Sequence, residues 1–292
     1  MSLLFIPPLP PTAPRVERLP SPPRQTAHGD LGEMRAACIA KDFSKFDSVF
    51  HRWSSYGFDI HDLSNVMLEA VKQDFPEAVS ALLFHGQPMY FSYASEAMRH
   101  RATGVLSAFL EAGWDINEPK CPTLPTLLAY SVEDEDMTVW LLNHGADPNQ
   151  QCSVDLTPLS WAVEGAPLST IKILLNRGAD VHKGEPLHHA INRKSEVIEV
   201  LSMLLEHGAS LNGKMYENHP YSWRLYFFTG LGTVLHQAAE QGKVDAVKYL
   251  LDQGADTAIK NALDQTPLDL AVNNHHQDVI AVLESASQKQ HT

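Results

Sequence analysis

Leu141-Leu142-Asn143-His144-Gly145-Ala146-Asp147 returns as Leu174-Leu175-Asn176-Arg177-Gly178-Ala179-Asp180. It returns again as Leu204-Leu205-Glu206-His207-Gly208-Ala209-Ser210 and as Leu250-Leu251-Asp252-Gln253-Gly254-Ala255-Asp256. Looser copies are Phe109-Leu110-Glu111-Ala112-Gly113, Leu82-Leu83-Phe84-His85-Gly86 and a degenerate one ending at Gly57. The glycines at 57, 86, 113, 145, 178, 208 and 254 are separated by 29, 27, 32, 33, 30 and 46 residues. Five of the six intervals lie near 30, a period that marks an array of small structural units. A unit of that size cannot bury its apolar face alone, so neighbouring units must stack.

A second phrase precedes the clearer copies. It reads Thr157-Pro158-Leu159-Ser160-Trp161-Ala162, Glu185-Pro186-Leu187-His188-His189-Ala190, Thr233-Val234-Leu235-His236-Gln237-Ala238 and Thr266-Pro267-Leu268-Asp269-Leu270-Ala271, with Leu124-Pro125-Thr126-Leu127-Leu128-Ala129 as a fifth variant. Thr before the first helical residue caps orphan N–H groups, and Pro at that residue forfeits no helical bond. Val247, Leu250 and Leu251 recur at i, i+3 and i+4, the apolar stripe of a second helix. Gly after the polar pair supplies the left-handed residue that ends a helix, and the Asp or Asn beyond it favours a turn.

Together the two phrases resemble the ankyrin repeat, whose signature is Thr-Pro-Leu-His-x-Ala followed by Leu-Leu-x-x-Gly-Ala-Asp. The resemblance spans about residues 30–284, strongest from Pro125 to Leu283, and amounts to about eight units. It implies an all-α solenoid of stacked helix-turn-helix units with short β-hairpin-like fingers. It also implies a surface that binds other proteins through fingers and inner helices, and a structural role for His188 and His236, bridging backbone groups of adjacent units. Thr266–Leu283 reads as a capping unit, because Gln277, Asp278 and Glu284 suit a wet outer face. Residues 285–292 read as a tail.

Composition bounds the function. The 292 residues carry 22 Lys and Arg against 35 Asp and Glu, a net charge of −13. An acidic body repels phosphate, which excludes broad binding to nucleic acid or anionic lipid. No apolar run approaches the ~20 residues needed to span a bilayer. Three scattered cysteines, Cys38, Cys121 and Cys152, form no disulfide framework, and an intracellular address, cytoplasmic or nuclear, is expected. Residues 1–28 hold eight of the nineteen prolines and are expected to be an extended leader, with Pro-x-x-Pro spacings open to a reader of polyproline II.

No catalytic, cofactor or metal constellation is found. Phosphate-cradling loops, His-Glu-x-x-His and nucleophile elbows are missing. Glu133-Asp134-Glu135-Asp136 lies between the two helices of a unit, where acids complement a helix N-terminus. The adjacent pairs His188-His189 and His275-His276 diverge on a helix instead of converging on one ion.

The sharpest departure from the period is the long interval between Gly208 and Gly254, where material is inserted around residues 212–230. Six aromatics fall between Tyr216 and Phe228. Aromatic side chains offer large rigid contact area at low entropy cost. Tyr216, Tyr221, Trp223, Tyr226 and Phe227 are therefore the first candidates for a partner surface, unless Trp223, Tyr226 and Phe227 fold back over adjacent helices. Trp114, Gln151, Trp161, His182, Lys183, His189 and Gln237, on fingers and inner helices, come next. The expected activity is that of a monomeric, non-enzymatic scaffold for a protein partner with a basic patch. A substrate-recruiting subunit of a larger enzyme complex such as a ubiquitin ligase is the alternative.

Overall fold

Seven repeat glycines, from Gly57 to Gly254, take φ values between +69° and +95°, the left-handed geometry the repeat phrase requires at each helix end. The computed structural model describes the backbone of residues 24–290 and the side chains of residues 29–287. The proline-rich leader therefore lies outside the described residues up to residue 23. Its last five residues are corrected, because the first helix already begins at Arg24. The expected tail is corrected likewise, since the last helix runs on to Gln290.

The chain divides into two compact units, Met1–Pro88 and Met89–Thr292. In the first, α1 (Arg24–Ala40) and α2 (Phe43–Ser54) form one helix pair. A 3-10 turn (Ile60–Leu63) leads into α3 (Ser64–Lys72) and α4 (Pro76–Phe84), which form another. Phe46, Val49, Phe50 and Trp53 recur at i, i+3, i+4 and i+7 along α2 and are all buried. Large aromatics thus fill the space that small alanines leave in the regular units. Arg52 ties α2 to α1, donating from Nε to Asp30 Oδ1 (2.9 Å) and from Nη2 to Glu33 Oε2 (2.9 Å).

The second unit contains α5 (Phe91–Arg99), α6 (Thr103–Glu111), α7 (Leu127–Tyr130), α8 (Glu135–Asn143), α9 (Pro158–Gly165), α10 (Leu168–Asn176), α11 (Pro186–Ala190) and α12 (Val197–Glu206). It continues with α13 (Pro220–Tyr226), a 3-10 turn (Phe227–Thr229), α14 (Val234–Glu240), α15 (Val244–Asp252), α16 (Pro267–Asn273) and α17 (Gln277–Gln290). First helices pack in one row, α5 on α7, α7 on α9, α9 on α11, α11 on α14 and α14 on α16. In the second row α8 packs on α10, α12 on α15 and α15 on α17. Among the described residues no strand forms. The fingers close as hairpin-like turns, with Lys120 N–H on Pro125 O (3.1 Å), Cys152 N–H on Leu156 O (3.2 Å) and Asn261 N–H on Gln265 O (2.8 Å).

The capping chemistry is as the phrases require. Thr157 Oγ1 accepts from Ser160 N–H (3.2 Å) and Thr266 Oγ1 from Asp269 N–H (3.2 Å), with Pro158, Pro186 and Pro267 at first helical positions. His236 Nδ1 accepts from Thr233 N–H (3.1 Å), while its Nε2 reaches Gln265 O (3.1 Å) in the following unit. His188 Nε2 likewise reaches Gly232 O (3.2 Å). Both histidines are buried and bridge adjacent units, the structural role the resemblance implied. Asp134 caps α8 through Met137 N–H (3.2 Å) and pairs with Arg101 (2.9 Å), so the acidic run is a solvated helix start.

Two regular devices were not legible in the phrases. Asn117 accepts from Asp147 N–H (2.7 Å) and donates to Gly145 O (3.1 Å), and Asn149 repeats this on Asp180 N–H and Gly178 O (both 2.7 Å). A side chain thereby serves as the hydrogen-bonded bridge between successive fingers. The second device is a left-handed residue in the tight turn between the helices of a pair. Lys41, Asp74, Arg101, Glu196, Gly242 and His275 occupy it, with φ from +46° to +69°. Only Gly242 adopts that conformation without strain, since a side chain there costs about 1–2 kcal/mol. Replacing the exposed His275 by glycine is expected to raise stability by about 1 kcal/mol in urea denaturation, net of the chain entropy that glycine adds.

Candidate functional site

Two surfaces of the second unit carry the candidate residues. The first is the insertion between α12 and α14. Pro220 opens α13, and His219 Nδ1 accepts from Ser222 N–H (3.2 Å) as its cap. Gly230 ends the following 3-10 turn at φ +81°. The underside is anchored. Tyr216 N–H donates to Glu185 Oε1 (2.8 Å), Met215 N–H to Gly232 O (2.9 Å), and the Tyr216 ring stacks on Tyr226 with centroids 5.8 Å apart. Beneath it Asp155 is 4% exposed and accepts from Gly184 N–H (3.0 Å) and from Gln151 Nε2. Burial raises the Asp155 carboxyl above its ordinary value, with Gly184 N–H opposing, and burial raises the Tyr216 phenol.

The outer side of the insertion is apolar and open. Tyr221, Leu225, Phe227 and Phe228 are exposed, Phe228 at 64%. Ala262 N–H of the next finger bonds Leu231 O (2.9 Å), and the adjacent Leu263 is also exposed. The insertion is therefore two-faced. Tyr216 is corrected from surface candidate to buried anchor. Trp223 and Tyr226 are half-buried, Tyr221 and Phe227 are exposed as expected, and Leu225 and Phe228 join the apolar face. Tyr221 and Leu225 share one side of α13 at i, i+4, as do the inward Ser222 and Tyr226.

The second surface runs along the first helices. The Thr126 cap of α7 places Tyr130 in the same register as Trp161 of α9, His189 of α11 and Gln237 of α14, each four residues beyond its helix cap. The fifth phrase thus begins at Thr126, two residues later than its sequence pattern, which places Tyr130 outside that pattern. Phe91, Tyr130 and Trp161 form a row, with centroids 5.9 Å and then 5.5 Å apart. Lys120 Nζ lies 5.2 Å from the Tyr130 ring centroid. Further along, Glu164 Oε1 accepts from His189 Nδ1 (2.8 Å) and Asn192 Nδ2 (3.2 Å), and Asn192 Oδ1 accepts from Gln237 Nε2 (3.2 Å) and Gln241 Nε2 (3.0 Å). The bond from His189 holds the Glu164 carboxyl below its ordinary value, against the effect of burial.

Among the other candidates, His182 and Lys183 are exposed. His182 occupies the position held by Asn117 and Asn149 in the preceding fingers, so the asparagine bridge is interrupted there. Gln151 is engaged with Asp155. Trp114 is corrected: it is buried, edge-on to Phe109 at 6.4 Å, because the finger after α6 turns its first aromatic into the core. All three cysteines are unpaired.

The model of ankyrin repeats matches residues 126–215 and 225–291, more than half of the chain, and the chain belongs to the ankyrin-repeat family. The matched stretches leave out 216–224, within the insertion. Repeats of this family mediate protein–protein interaction, so the ligand class is a protein. The B-cell lymphoma 3 protein homolog of Mus musculus is 30% identical over 131 residues, 43% of this chain and 26% of that protein. Palmitoyltransferase ZDHHC13 of Homo sapiens is 27% identical over 220 residues, 61% of this chain and 33% of that protein. The neurogenic locus Notch protein of Drosophila melanogaster is 34% identical over 116 residues, 40% of this chain and 4% of that protein. The chain thus spans a third or less of the length of these relatives. No helix among the described residues is long and apolar enough to cross a membrane.

Proposed function

We propose that the chain is a non-enzymatic scaffold that holds a protein partner on a pre-organised surface, acting as a monomer in the cytoplasm or nucleus. The observation that carries this reading is the two-faced insertion. Its underside is fixed by Tyr216, Tyr226 and Ser222, and its outer face presents Tyr221, Leu225, Phe227 and Phe228 to solvent. Apolar side chains grouped on an anchored platform add little to folding, and binding to them costs little ordering. A cleft of about 270 Å³ beside the insertion supports the non-enzymatic part. The His188 and His236 Nε2 atoms in its lining are committed to backbone carbonyls, and His188 Nδ1 lies 3.1 Å from Glu185 Oε2.

The test is a Tyr221→Ser, Phe227→Ser, Phe228→Ser triple variant, compared with wild type in affinity purification with mass spectrometry and in thermal melting. Loss of the captured partner at an unchanged melting temperature is expected. Retention of the same partners, or unfolding of the variant, overturns the reading.

A further inference from the structure

On the inner face of α9, Trp161 and Glu164 stand three residues apart, one helical turn, on the same side of the helix. Trp161 is 38% exposed, an unusual state for a tryptophan flanked by the buried Ser160 and Ala162. The Glu164 side chain is 46% exposed. Both hydrogen bonds that it accepts among the described residues, from His189 and Asn192, end on Oε1, so Oε2 is open. The carboxyl is held ionised by the same His189 bond.

The surroundings are acceptor-rich. A carboxylate cannot donate, so His189 Nδ1 carries the proton that bonds Glu164. Gln237 Oε1 is buried and meets no hydrogen-bond partner among the described residues, which leaves a second carbonyl-type acceptor behind the surface. On the other flank Tyr130 lies 5.5 Å from Trp161 and already holds a cation, Lys120, over its face. An open carboxylate oxygen beside an exposed indole complements one chemistry above others: a planar cation that stacks on the ring and donates to the oxygen.

We propose that Trp161 and Glu164 form a docking site for an arginine side chain of the partner protein, with the guanidinium stacked on the indole and donating to Glu164 Oε2. The net charge of −13 favours the approach of such a basic segment. This deepens the protein-binding reading by naming what the inner face recognises, and it is independent of the insertion.

The experiment titrates acetyl-Gly-Arg-Gly-amide into the full chain and follows the tryptophan indole N–H signals by NMR, with Trp161 assigned from a Trp161→Phe variant. Millimolar, saturable shifts of the Trp161 signal are expected, with the isosteric citrulline peptide giving none and the lysine peptide binding several-fold more weakly. Glu164→Gln, which keeps its size and can still accept from His189, is expected to weaken the arginine peptide by at least tenfold at an unchanged melting temperature. Raising the salt is expected to weaken it further. Equal binding of the citrulline or lysine peptide, or no shift at Trp161, overturns the assignment. The insertion triple variant is expected to bind the arginine peptide like wild type, so failure there and failure here are read separately.

Discussion

Tyr216→Ala is expected to lower the unfolding free energy by about 3 kcal/mol in urea denaturation, in the range for truncating a large buried ring. It is also expected to expose the chain near residues 212–230 to limited proteolysis. The ring is 6% exposed and stacks on Tyr226, and its loss leaves a void that the backbone cannot close. That backbone is fixed on both sides, by Tyr216 N–H on Glu185 Oε1 and by Met215 N–H on Gly232 O. Tyr216 also sits at φ +59°, a strained conformation for a non-glycine residue. The ring must therefore contribute more than the strain costs. Tyr216→Phe keeps the packing and is expected to lose less than about 1 kcal/mol. Equal loss in both variants would assign the anchoring to the hydroxyl instead of the ring.

Acid is expected to weaken the fold through His236, by up to about 3 kcal/mol between pH 6.5 and pH 4. Burial pushes this imidazole down to about 4 from 6.5, with the bond to the Gln265 carbonyl opposing. The bonds give the same direction. Nδ1 accepts from the Thr233 N–H, so a proton there would face a donor. Between those pH values the unfolded chain binds the proton and the folded chain does not, so stability falls as the pH falls and is fully present above about 6.5. Asp155, raised by burial, contributes in the opposite sense, which makes a difference measurement necessary. His236→Gln is expected to be less stable than wild type at pH 7.5 and to show a flatter decline from pH 6.5 to 4, read from urea midpoints across the range. Parallel curves would remove His236 from the account.

The fold was legible because its determinants are local and repeated. Thr157, Thr233 and Thr266 cap, the prolines following two of them start helices, and the glycine of each repeat phrase ends a helix. Even the divergent copies before Gly113 keep the helix-pair pattern, although α2 fills its core with Phe46, Phe50 and Trp53 instead of small residues. The finger bridges of Asn117 and Asn149 lay in the sequence as Asp-x-Asn, yet their partners are 28–31 residues away, so nothing local revealed the bond. The candidate surfaces were legible only in part. The insertion was conspicuous by its length and aromatic content, but which ring faces inward depends on the Glu185 bond, which neighbours in the chain do not encode.

The sequence by itself determined the period, the helix ends and the location of the one large departure from regularity. Each of these follows from backbone conformation and hydrogen bonding within a few residues, or from a pattern repeated until it is unmistakable. Tertiary structure alone decided that Tyr216 and Trp114 are buried, that Leu225 and Phe228 face solvent, and that Tyr130, Trp161, Glu164 and His189 share one surface. The physical reason is that burial and side-chain pairing depend on what the neighbouring unit presents across the stack, and that arrangement exists only once the units have packed.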